Sequence, residues 1–174
     1  LNNTLYPGND VNILPVWKEG VTGKGVTVCI LDDGVEFDHP DLKGSLRPDL
    51  SFDFNSKANR LPEPQTSEDL HGTRCAGQIA AKPGGKCGGS GVAPGASISA
   101  IRLLGGRINS HLEALAVTFR NDQNDIYSCS WGPADDGKSM EGPDSTVLKA
   151  FVSGLLDGRG GRGSIFVFAA GNGQ

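Results

Sequence analysis

The chain has 174 residues, 37% of them hydrophobic and 21% charged, the composition of one globular domain and not of a disordered segment. Its net charge of −4 and pI of about 5.3 exclude the basic footprint of a nucleic-acid binder and favour cationic partners. No apolar run reaches the roughly eighteen residues that a membrane-spanning helix needs, so no membrane segment is expected.

The first residues lack a basic start followed by an apolar stretch, so no signal peptide is read there, a pattern that a processed or truncated chain shares. Asn2-Asn3-Thr4 satisfies the N-glycosylation pattern. Residues 26–31 form a β-branched, nearly continuous apolar run that ends in Asp32-Asp33-Gly34, the signature of a strand buried on both faces. Residues 55–70 carry turn formers and no period, which predicts a loop leading into His71. Residues 72–81, rich in small side chains, predict a short helix, and 97–103 a second buried strand.

Leu112, Leu115, Ala116 and Phe119 recur at helical spacing after Ser110, a suitable N-cap. Residues 126–130 predict a third buried strand. Val147, Leu148, Phe151, Val152, Leu155 and Leu156 then repeat the helical stripe, with Asp144 or Ser145 as cap and Gly158 as stop. A fourth buried strand, 164–169, runs into Ala170-Gly171-Asn172-Gly173. Strands alternating with helices predict an α/β doubly wound fold with a parallel sheet, whose ligands sit beyond the carboxyl ends of the strands.

Chemistry-bearing residues fall at those ends. Asp32 closes one strand, His71 opens a small-residue helix and Asn172 follows another strand. These are the parts of a Ser-His-Asp hydrolase: the carboxylate orients the imidazole, the imidazole takes a proton from a serine, and the amide donates to the developing oxyanion. Singly each has a plainer reading, since Asp-Gly after a strand is commonly a turn and a lone His commonly structural.

Their wording together is more specific. Leu31-Asp32-Asp33-Gly34-Val35, His39-Pro40-Asp41-Leu42, His71-Gly72-Thr73-Arg74-Cys75-Ala76-Gly77, Ser130-Trp131-Gly132-Pro133 with Asp135-Asp136-Gly137, and Ala170-Gly171-Asn172-Gly173 closely resemble the subtilisin-like proprotein convertases of the kexin/furin type. The match runs through nearly the whole chain. The resemblance implies a three-layer α/β subtilisin-like fold with a mostly parallel sheet, present in part over residues 1–174. It also implies Asp32 as triad carboxylate, His71 as general base and Asn172 as oxyanion donor. The family's nucleophile lies in a Gly-Thr-Ser-Ala motif, and no Gly-Thr-Ser occurs in this sequence, so this chain alone is expected to be inert and activity to belong to a longer protein.

By the same resemblance Asp135 matches an acid of the S1 subsite, Asp33 and Glu68 acids of S2, and Glu113 and Glu141 acids of S4, with Ser130, Trp131 and Gly132 along the substrate. Carboxylates are what such subsites need, because a buried Arg or Lys left unpaired is costly. The implied substrates are proproteins cut after Lys-Arg or Arg-Arg, with the protein's own prodomain as a further partner and the secretory pathway as location. A Ca²⁺ site is implied at Asp41 with Lys82, Gly85 and Cys87 of the glycine-rich loop, weakly held because that loop offers carbonyls in place of side-chain oxygens. Cys87 resembles a cysteine bridged further along the family chain and Cys75 the thiol near the catalytic His, while Cys29 and Cys129 read as small buried strand residues.

Two other readings stay open: a non-catalytic homologue that binds basic peptides without cutting them, and a metal-binding α/β domain using His71 and Cys75, four apart on one helix.

Overall fold

The computed structural model describes residues 5–56, 58 and 60–173, and the Asn2 acceptor lies outside them. Five parallel strands form one sheet: β1 (Thr27–Asp32), β2 (Phe52–Asp53), β3 (Ser97–Arg102), β4 (Ile126–Cys129) and β5 (Ile165–Phe168), in the order β2-β3-β1-β4-β5. Among the described residues four α-helices accompany them: α1 (Leu14–Lys18), α2 (His71–Ala80), α3 (Ser110–Thr118) and α4 (Ser145–Gly161). None of the described helices is long and apolar enough to cross a membrane.

The register pairs Asp32 with Arg102 and Cys129 with both Leu31 and Phe168, so the carboxyl ends of the four long strands lie along one rim. β1 is central, with β3 on one side and β4 on the other; the strand order diverges there, and the crevice beyond its carboxyl end is the place where α/β sheets bind ligands. The Asp32 carbonyl accepts the amides of both Leu103 and Leu104, each at 3.0 Å, which fastens the strand end from the β3 side.

Alternation along β1 builds two cores. Val28 and Ile30 join Ile98 and Ala100 against Ala76 and Ala80 of α2, while Cys29 and Leu31 face Ile101, Tyr127 and Cys129 beneath Ala116 and Val117 of α3. The result is three layers, α2 on one face of the sheet and α3 with α4 on the other. α2 lies close to the β1 turn, where a Cβ on Gly72 would run into the Gly34 carbonyl oxygen, and its small residues permit that approach.

Several expectations are corrected. The cap of α3 is Asn109, whose side chain accepts the Leu112 amide, and Ser110 is the first helical residue; both types suit the position, and backbone extension at Asn109 decides it. α2 begins at His71 with no cap from Leu70. The cap comes from the β1 turn instead, as described below. β5 is not a buried strand: Ile165, Val167 and Phe168 are 45–52% exposed, because β5 is the sheet edge; Phe166 packs on Tyr127 and Phe151, and Phe168 on the same side meets Phe151 and Trp131 while staying half exposed. β2 and α1 carry no sequence signal, being two and five residues long. Asp144 caps α4 by accepting the Thr146 and Val147 amides, and the helical backbone ends at Gly158 as expected.

Candidate active site

Asp32 is buried at the end of β1, and His71 opens α2 with its imidazole largely exposed. Nδ1 of His71 lies 2.9 Å from each carboxylate oxygen of Asp32. Nδ1–H therefore donates to the carboxylate, and the exposed Nε2 is the basic nitrogen. The Asp33 amide donates to Oδ1 of Asp32 at 2.8 Å. Burial pushes the Asp32 carboxyl above its ordinary range, opposed by the bonds from His71 and the Asp33 amide.

The neighbouring Asp33 has a second role that local sequence does not signal. Its Oδ2 accepts the His71 amide at 3.0 Å and its Oδ1 the Gly72 amide at 2.7 Å, so it caps α2 from across the turn. Like any anion at a helix start it is favoured there. Two consecutive acids thus do different work, Asp32 on the ring of His71 and Asp33 on its backbone.

Cys75 stands one turn along α2, with Sγ 3.7 Å from Nδ1 and 3.9 Å from Nε2 of His71 and 3.7 Å from Oγ of Ser130. This chain of contacts brings the end of β4 to the imidazole. His71 and Cys75 do share a helix face, and donor atoms of Asp32, His71 and Cys75 lie within 4.8 Å of one another. Two facts oppose a resident metal: Nδ1 is engaged by the carboxylate, and burial, with the charges of Asp32 and Asp33, pushes the Cys75 thiol away from the thiolate that a metal needs. Cys29 and Cys129 are buried in the sheet; burial raises both thiols, Cys29 to about 12.

On the β5 side, a carboxylate oxygen of Asp135 accepts the backbone amides of Asn172 and Gly173. The loop after β4 is thereby tied to the loop after β5, and Asn172 is exposed at the same rim as Asp32. Trp131, Gly132, Glu113 and Glu141 come together in a cleft of about 480 Å³ between the post-β4 loop and the starts of α3 and α4. Phe168 packs edge-on against both Trp131 and Phe151 as part of its wall. Asp144, which sequence marks only as a helix cap, also lines the cleft; burial, then the charge of Asp144, pushes Glu113 above its ordinary range. Asp33, Glu68 and Asp135 stand outside this cleft: the carboxylates of Asp33 and Asp135 are turned to backbone amides, and Glu68 is exposed on the loop before α2.

The residues expected at a cation site do converge. Asp41 is buried, its carboxylate accepts the Cys87 amide at 3.1 Å, and its carbonyl accepts the Lys82 amide at 3.0 Å. Gly85 packs on that carboxylate so closely that a Cβ would collide with it. The Lys82 ammonium is directed to the Pro94 carbonyl, so Lys82 joins the cradle by backbone alone.

A carboxylate–imidazole pair at the carboxyl end of a central parallel strand, in a three-layer α/β domain, defines the polar half of a serine-hydrolase centre. The subtilase family model matches residues 23–174, and the chain belongs to that family. It is 50% identical over 173 residues to kexin of Saccharomyces cerevisiae, covering 99% of this chain and 21% of that protein. It is also 47% identical over 175 residues to mouse proprotein convertase subtilisin/kexin type 7, covering 99% of this chain and 23% of that one. Among solved structures it resembles a serine protease of Aeromonas sobria, solved in complex with a chaperone (TM-score 0.79, 30% identity, 96% of this chain, 28% of that one). Fervidolysin of Fervidobacterium pennivorans, described as related to subtilisin, is a second neighbour (TM-score 0.64, 27% identity, 91% of this chain, 23% of that one). The chain thus has part of the α/β subtilisin fold and spans about a fifth of the length of those convertases.

Proposed function

We propose that the whole protein is a calcium-dependent serine endoprotease that cuts proproteins after paired basic residues. The observation that carries this is the His71 Nδ1 contact with both oxygens of a buried Asp32, each at 2.9 Å. It leaves Nε2 free to take a proton from a serine hydroxyl and return it to the leaving amine, while Asp32 stabilises the imidazolium in between. Asn172 supplies the oxyanion donor. No Gly-Thr-Ser occurs in the sequence, so this chain by itself forms no acyl-enzyme and is inert.

A preference for basic residues is supported by the acidic surroundings. Glu113, Glu141 and Asp144 line one cleft, and Asp33 and Glu68 flank His71. Asp135 anchors the Asn172 loop where the P1 cation is expected. Calcium is supported by the cradle at Asp41, which a hard cation fits: a buried carboxylate facing the 82–87 backbone, whose carbonyls would complete the ligand set. With a single carboxylate that site is weak. Bound calcium would fix the 82–87 loop beside the end of α2. Secretory-pathway residence and a prodomain partner belong to the same reading.

Fluorogenic peptides that differ only at P1 and P2 test it in the whole protein. Lys-Arg and Arg-Arg substrates are expected to be cut at least about 100-fold faster in kcat/KM than Ala-Ala substrates, the discrimination that a desolvated charge pair provides. Equal rates, or binding of basic peptides without cleavage, would replace the protease by another reading.

A further inference from the structure

Arg102 closes β3 with its side chain only 7% exposed, and the sequence gives it no local partner. The structure gives it three. Its Nε donates to the Asp33 carbonyl at 3.0 Å, its Nη2 to Asp69 at 3.4 Å, and its Nη1 lies 3.8 Å from Asp53 of β2. Each partner belongs to a different segment. Asp33 follows the triad carboxylate. Asp69 precedes His71 by two residues and closes its own turn by accepting the Gln65 and Thr66 amides. Asp53 ends the edge strand, where it accepts the Asn55 amide. Gly105, at φ +117°, folds back over the guanidinium where a Cβ would strike Nη2.

We propose that Arg102 is a positioning residue that sets the distance between Asp32 and His71, by clamping the strand end that bears the acid to the turn that launches the helix bearing the base. A planar fork with donors in three directions does this; the single ammonium of lysine does not reach all three acceptors. The Asp33 carboxylate holds the first amides of α2, and Arg102 grips the same residue by its carbonyl and the preceding turn by Asp69, so acid and base are bracketed from both sides. None of these bonds goes to the His71 ring or the Asp32 carboxylate.

The inference rests on the reading of Asp32 and His71 as acid and base, but its readout needs no catalysis. In the 174-residue chain the Nδ1 proton of His71, shared with Asp32, is expected as a downfield proton resonance protected from solvent exchange. Arg102→Gln is expected to abolish it, Arg102→Lys to leave it broadened, and Asp69→Asn to speed its exchange about tenfold. Arg159→Gln is the control, since it breaks another half-buried ion pair, with Asp125 at 3.0 Å, at the far end of α4. It is expected to lower stability without touching the resonance. Should Arg102→Gln fail to fold, Arg102→Lys and Asp69→Asn decide. Folded variants with an unchanged resonance, or an Arg159→Gln variant that loses it equally, would overturn the proposal. A wild-type chain without the resonance would instead overturn the Asp32–His71 pairing itself.

Discussion

The two halves of the sheet are finished to different degrees. Around β1 and β3 every strand position but Ser97 is buried: Ile30, Leu31, Ile98 and Ile101 are 1% exposed or less, and α2 and α3 close the two faces. Around β5 and α4 they are not. Phe166 packs inward, but Ile165 and Val167 on the opposite face are about half exposed, and Leu148, Val152, Leu155 and Leu156 form an open stripe along the outer side of α4. The acid and the base stand on the finished half, held by bonds within this chain, whereas Asn172 and its Asp135 tether stand on the open half. The Asp32–His71 pair is therefore bonded within the covered half of the sheet, and the Asn172 loop within the open half.

Breaking the finished half is expected to have the largest effects. Asp32→Asn in the whole protein keeps a hydrogen bond to His71 but selects the wrong tautomer, and kcat should fall by about 10⁴-fold with KM little changed. Ile30→Ala removes a side chain from the α2-side core and should cost about 2–5 kcal/mol in a urea titration. Val167→Ala on β5 should cost less than about 0.5 kcal/mol, because that side chain is 52% exposed already. Equal losses for Ile30 and Val167 would erase the contrast.

Smaller changes sharpen it. Leu156→Lys, at 67% exposed, should leave the melting temperature within error, since that side chain gives up little packing. The smallest effect concerns Glu113, whose carboxyl is pushed up by burial and by Asp144. A raised carboxyl pKa in the folded state contributes stability that is present below the unfolded value and lost as pH rises through the folded one. Melting temperatures across the acidic range should show wild type falling relative to Glu113→Gln as that carboxyl ionises, and a constant difference would contradict the shift.

Much of this was legible from residue order. β1, β3 and β4 were visible because β-branched runs bounded by turn residues leave few alternatives, and the Asp32–His71 pairing followed from motif wording. What escaped has physical causes. β5 has the composition of a core strand, but burial depends on what lies across the sheet, which composition does not encode. The Arg102 clamp joins residues 33 and 69 positions apart, beyond any local period. Asp144, read as a cap, also lines the cleft, and Asp33, read as a subsite acid, is found capping α2. One carboxylate can meet amides on one side and a cavity or solvent on the other, and a linear pattern reports only the first role it matches.

The double acceptance by the Asp32 carbonyl of the Leu103 and Leu104 amides implies an order of disassembly. That carbonyl is locked between central strands, where opening requires the whole sheet to part, while α2 lifts on breaking its Asp33 cap and the packing of one face. On warming, the base would leave before the acid moves. The Asp32–His71 contact would then be lost while the strands still resist hydrogen exchange, so a thermal limit read from the imidazole would fall below one read from the sheet.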